Sequence, residues 1–145
     1  RLTHQVLAEG ELVVLYPDGM FAPAGGRFPL DLLADRDVIG VAATGPIGDV
    51  LTRAARERGL AFRETVSVQT FFIAARLAQL EGGVTVVDEF TARAWAAPGF
   101  RWLPTDPPLR FTISWTALEE RQPSRVARLF LRTLENTLVE SRRQP

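Results

Sequence analysis

The chain has 145 residues with 17 basic and 17 acidic side chains, one histidine and no cysteine. That length suits one ordinary domain or two small lobes sharing a hinge, and it buries enough surface to fold without covalent staples. Zero net charge argues against a general nucleic-acid or anionic-membrane surface, and the lack of cysteine removes disulfides, thiol nucleophiles and cysteine metal sites.

Every basic residue is arginine, a pattern of a GC-rich genome more than of function. No apolar run approaches the ~20 residues of a membrane span. Nothing reads as a signal peptide, so a cytoplasmic location is the default expectation. The chain opens at Arg1 and its single methionine is Met20, which reads as a fragment.

Arg1 to Gly10 is polar and weakly patterned. Glu11 to Tyr16, ELVVLY, is a strand stopped by the turn signal Pro17-Asp18-Gly19. Met20 to Phe28 is rich in glycine and proline and reads as a loop, and Pro29 to Leu33 as a short helical turn. Asp37 to Ala42 is the next strand. After Thr44-Gly45-Pro46 comes a helix to about Arg58, with Asp49 in its first turn and Gly59 beyond its end. Its buried stripe is Ile47, Val50, Leu51, Ala54 and Ala55.

The stretch from Arg63 to Phe90 reads as strand, polar turn, helix, double glycine, strand. Arg63 to Val68 alternates and is β-branched. Ser67, Gln69 and Thr70 can cap a helix start, and Phe72, Ile73, Leu77 and Leu80 recur at helical spacing as a core-facing stripe. Gly82 and Gly83 end that helix. Val84 to Val87 suits a buried parallel strand, and Phe90 to Ala97 continues as helix. Phe100 to Leu103 and Phe111 to Thr116 are strands joined by the linker Thr105-Asp106-Pro107-Pro108. Pro123-Ser124 opens a closing helix with Val126, Leu129, Phe130, Leu134 and Leu138 on one side. The expected architecture is α/β in two lobes: residues 18–99 form one, and residues 1–17 with 100–145 contribute to the other. Ligands often bind in such clefts.

Two turns carry the functional expectation. Thr44, Gly45 and Pro46 open one helix; Ser67, Gln69 and Thr70 open another. Both follow strands of the same sheet, so their N–H groups can converge on a carboxylate, or the residues are ordinary caps. Asp88 ends a buried strand and must meet solvent, an arginine or a ligand cation, or cap the helix beginning near Phe90. Phe90 is then a pocket wall or simply core. His4 lies in the polar leader and is not expected to be catalytic. With one imidazole and no GxSxG, Walker loop or GxGxxG, an enzyme lacks its parts. No metal or cofactor is expected.

In order and spacing, ELVVLYPDG, FPLDLLADRDVIG, ARLAQLEGGVTVVDEFTA, FRWLPTDPPLRFTISW and PSRVARLFLRTL resemble the effector-binding domain of LysR-type transcriptional regulators. VVDEFTA is most similar to the branch responding to amino acids and opines. Glu81 stands where the family commonly has glycine, and Met20-Phe21 where it has histidine-proline. The resemblance implies a type 2 periplasmic-binding-protein-like fold with three-layer α/β/α lobes, the first lobe incomplete here. It also implies a small-molecule effector held by residues among Thr44, Gly45, Pro46, Ser67, Gln69, Thr70, Asp88 and Phe90. DNA would be reached through an N-terminal winged helix-turn-helix absent from this chain, and the parent would be a homo-oligomer without membrane contact. A solute-binding protein of the same architecture is the alternative, and a stand-alone interaction module the third class.

Overall fold

In the computed structural model, residues 1–42, 45–120 and 122–143 are described. The chain divides into two units: Glu11–Leu109, and Arg1–Gly10 with Arg110–Pro145.

In the first of these, six strands lie side by side. They are β1 (Leu2–Pro17), β2 (Phe28–Pro29), β3 (Asp37–Val41), β4 (Arg63–Val68), β5 (Val84–Asp88) and β6 (Phe100–Asp106), in the spatial order β2-β6-β1-β5-β3-β4. β3 is parallel to β4 and to β5, whereas β1 is antiparallel to β5 and β6. A 3-10 turn, Leu30–Leu33, precedes β3, and three helices connect the strands: α1 (Pro46–Glu57), α2 (Phe71–Glu81) and α3 (Glu89–Ala94). The parallel pairs need crossovers, and α1 and α2 supply them.

Alternation along the strands sorts side chains between the faces of the sheet. Val13, Leu15, Ile39 and Val87 form a core with Ala74, Ala75 and Ala78 of α2. The sequence puts Phe72, Ile73, Leu77 and Leu80 on the inner face of α2; of these only Leu77 packs against the core. Phe72, Ile73 and Leu80 are 51%, 46% and 65% exposed, and the three alanines are fully buried. The helix is apolar nearly all round, and close approach to a sheet selects its small residues. Gly83 marks how close: a Cβ there would lie 3.0 Å from Ile39 Cδ1. Gly82 takes the left-handed conformation, φ +67°, that ends α2.

The opposite face carries Leu12 and Val86, above which lies α1; its Ala54 and Ala55 are buried and Ile47, Val50 and Leu51 half-buried. Further along β1, Tyr16 packs on Phe28 and Phe21 with ring centroids 5.3 and 5.5 Å away.

The other unit holds the first part of β1, β7 (Arg110–Leu118) and α4 (Arg125–Arg143). The polar, weakly patterned leader is therefore strand. β7 is its partner, with Thr3 Oγ1 donating to the Ala117 carbonyl at 3.2 Å and Trp115 Nε1 to Gln5 Oε1 at 3.2 Å; pairing overrides weak local propensity. The stripe expected on α4 is split. Leu134 and Leu138 are half-buried together with Ala127 and Leu131, but Val126, Leu129 and Phe130 are exposed. Residues 127, 131, 134 and 138 are the ones that share a helix face. Two smaller differences concern ends: β6 runs on through Thr105 and Asp106, which the sequence assigned to a linker, and α3 stops at Ala94.

Candidate functional site

Three parallel strands deliver their carboxyl ends to one rim. Val41 of β3 is paired with Val68 of β4, and the N–H of Ala42 donates to the Val68 carbonyl at 2.8 Å. The two strands thus end side by side. β5 is in register with β3 through Ile39 and Thr85, which brings Asp88 level with Ala42.

Gly45 is the N-cap of α1, extended and without a side chain to occupy the first N–H groups of the helix. Pro46 is its first residue, a position where the missing N–H costs nothing. Thr44 lies outside the described residues. Thr70 is the N-cap of α2, its hydroxyl oxygen accepting from the Ile73 N–H at 3.3 Å. Ser67, Gln69 and Thr70 are all exposed. Asp88 is the N-cap of α3: Oδ1 accepts from the Thr91 N–H at 2.9 Å and Oδ2 from the Thr91 hydroxyl. Phe90, the second residue of α3, is half-buried.

Beside these lies a polar network that sequence reasoning missed. Leu12 is paired with Asp88, so Glu11 reaches the rim and its N–H donates to Glu89 Oε1 at 3.0 Å. Glu89 is 5% exposed and its other oxygen lies 3.7 Å from Arg93. Arg27 bridges the Glu11 carboxylate at 3.0 Å and the Thr105 carbonyl at 2.8 Å. Thr105, fully buried, donates to the Pro107 carbonyl and accepts from the Leu109 N–H. A charge directly after Asp88 at the end of a buried strand was the available signal for Glu89; nothing local marks Arg27, which comes from the glycine-rich loop. Glu11, Arg27, Glu89 and Thr105 are thus engaged with one another or with nearby backbone. Among the described residues, no three or more His, Asp or Glu side chains are grouped as a metal would need, and no helix is long and apolar enough to cross a membrane.

Residues 1–138 match the family described as LysR substrate binding domain. The chain belongs to that family. It is 32% identical over 132 residues to the HTH-type transcriptional regulator DgcR of Pseudoalteromonas sp, a match covering 91% of this chain and 45% of that protein. The chain therefore spans less than half of this curated relative. The regulatory domain of Synechocystis PCC6803 CcmR, in complex with 2-PG, superposes with a TM-score of 0.75 at 16% identity over 94% of this chain and 67% of that one. HinK, a LysR family transcriptional regulator from Pseudomonas aeruginosa, gives 0.70 at 14% identity, covering 94% of this chain and 48% of that one. These likenesses share the fold expected of the chain: α/β, of the type 2 periplasmic-binding-protein kind.

Proposed function

We propose that this LysR-family effector domain senses a small metabolite bearing a carboxylate, an amino acid or a relative of one, at the rim where β3 and β4 end. The observation that carries the reading is that β3 and β4, paired to their ends, each lead into a helix start, one of them capped by glycine alone. The N–H groups after Gly45 and Pro46 and the polar atoms of Ser67, Gln69 and Thr70, with Thr44 between the strand and Gly45, would hold the carboxylate. A helix start contributes about 0.3–1 kcal/mol to an exposed anion; hydrogen bonds to a charged partner contribute about 1.5–3 kcal/mol. Direct donors therefore dominate. Asp88, although it already caps α3, faces the same rim and suits the ligand's ammonium group, with Phe90 as a wall.

In the parent protein the domain would act through a winged helix-turn-helix and a homo-oligomer in the cytoplasm, without catalysis. The effector must favour one arrangement of the parent over another, since equal affinity for both shifts nothing. The named regulators among its relatives support this over secretion as a solute-binding protein. Titration with a panel of amino acids and related carboxylates, followed by calorimetry, tests it. One class should bind saturably, and Thr70→Ala should weaken it roughly tenfold through loss of a donor to a charge. Binding indifferent to both Thr70→Ala and Gln69→Ala would refute the rim. A signal peptide encoded immediately upstream, in place of a winged helix-turn-helix, would favour the solute-binding alternative.

A further inference from the structure

A cavity of about 360 Å3 lies between α1 and the sheet and reaches the rim at Val41, Ile47 and Phe71, within the size range of small-molecule pockets. Its walls are apolar: Leu12 and Val86 from the sheet, Ile47, Leu51 and Ala55 from α1, and Phe62 before β4. The polar side chains on it are few, Thr52, Arg56 and Glu64.

Glu64 is there for a specific reason. The pairing of β3 with β4 slips by one residue, Val38 opposite Glu64 but Ile39 opposite Val66. The extra residue, Thr65, makes a bulge, and a bulge re-aims a side chain. Without it, Glu64 and Val66 would share a face. With it, Val66 stands on the face of Ile39, towards α2, and Glu64 on the face of Val38 and Gly40, towards α1. The strand beneath is shaped to receive it. A Cβ added to Gly40 would lie 2.2 Å from the Glu64 carboxyl carbon and 2.3 Å from Oε2. Only glycine leaves room for that carboxylate to lie across the strand. Among the described residues the Glu64 carboxylate has no hydrogen bond or ion pair.

We propose that this cavity is a second ligand site, taking a small amine with an aromatic or branched apolar body whose ammonium group pairs with Glu64. The apolar walls exclude water around the body of such a ligand, and the bulge, with the space left by Gly40, brings its charge partner onto the wall. Arg56, in the last turn of α1, marks where an anion would bind instead; it lacks the built support that Glu64 has. α1 roofs the cavity and begins at Gly45 on the rim, so an occupant restrains the same helix whose start faces the rim. A ligand held at Glu64 therefore sits beside the rim and can modulate it.

The test uses the 145-residue chain and three probes of one size: 2-phenylethylamine, 2-phenylethanol and 3-phenylpropanoate, followed by amide chemical shifts. The amine should move the signals of Gly40, Leu51 and Ala55 saturably and bind roughly tenfold more tightly than the alcohol, as a charge-assisted bond implies. Glu64→Gln, on an exposed edge strand, should erase that preference while leaving the alcohol unchanged. Leu51→Trp should fill the cavity and abolish binding of the amine and the alcohol in a chain that keeps its dispersed spectrum. Equal or tighter binding of the propanoate, shifts centred on Thr70 rather than Gly40, or no saturable shift in the folded chain would each overturn the proposal.

Discussion

The main-chain N–H of Glu11 donates to Oε1 of Glu89 at 3.0 Å, tying β1 to the first residue of α3 through a carboxylate that is 5% exposed. Removing that acceptor leaves a partly buried donor unmet and takes a nearby carboxylate away from Arg93. Glu89→Ala should cost roughly 2–3 kcal/mol, read as a lower urea midpoint with unchanged slope. Glu89→Gln keeps an oxygen for Glu11 and should cost clearly less. Equal losses for the two variants would mean that the hydrogen bond contributes nothing.

Thr70 caps α2 through a single bond to the Ile73 N–H. Thr70→Ala should lower stability by about 1 kcal/mol, and Thr70→Ser by much less, because serine offers the same oxygen. Chemical denaturation of the three chains measures this directly. A ligand-binding defect in Thr70→Ser as large as in Thr70→Ala would separate the methyl group from the hydroxyl.

The two faces of α2 should respond in opposite ways. Ala78 is fully buried and Leu80 is 65% exposed. Ala78→Leu overpacks the contact with the sheet and should cost roughly 1–3 kcal/mol. Leu80→Gln should stay within about 0.5 kcal/mol of the parent. Thermal melts would expose a reversed order at once.

That result bears on what could be read in advance. The succession of strands and helices from Glu11 to Asp88 is written locally, in turn residues, caps and alternation, and Pro17-Asp18-Gly19, Thr70, Gly82 and Asp88 all act where those signals put them. The inward face of α2 is not written locally. Phe72, Ile73 and Leu80 win any count of apolar side chains, yet the distance between helix and sheet selects Ala74, Ala75 and Ala78. The same limit applies to α4, where two apolar rows compete and only the strands alongside choose between them. The rim was legible because parallel strands followed by helix starts imply it. The network of Arg27, Glu11, Glu89 and Thr105 was not, since its members are brought together by pairing across β1 rather than by proximity in sequence.

Gly40 and Glu64 should be energetically coupled. Gly40→Ala drives a Cβ into the Glu64 side chain, which can swing away at small cost because it is long and exposed. The loss should be below about 1.5 kcal/mol and should shrink in a Glu64→Ala background. A double-mutant cycle gives the coupling, expected at roughly 0.5–1 kcal/mol. Strict additivity would place the carboxylate elsewhere in solution.

Tyr16 gives the chain a handle on alkaline pH. Burial pushes its hydroxyl above the usual 10.0; the nearby Arg101 charge lowers it and Asp18 raises it. The folded chain therefore keeps a proton that the unfolded chain has released, so stability is full below pH 10 and declines as pH rises beyond it. Tyr16 is the only tyrosine, and with no lysine or cysteine present no other side chain titrates near that value. Urea midpoints between pH 8 and 11 should fall for the parent chain and flatten for Tyr16→Phe.

Glu11–Leu109 is one uninterrupted stretch, whereas the other unit is assembled from pieces on either side of it. During synthesis the inner stretch can leave the ribosome whole and fold at once. The outer pieces must wait, the first for the length of translation that separates it from the second. The two units are thus completed in a set order, with β1, which runs through both, begun in one and finished in the other.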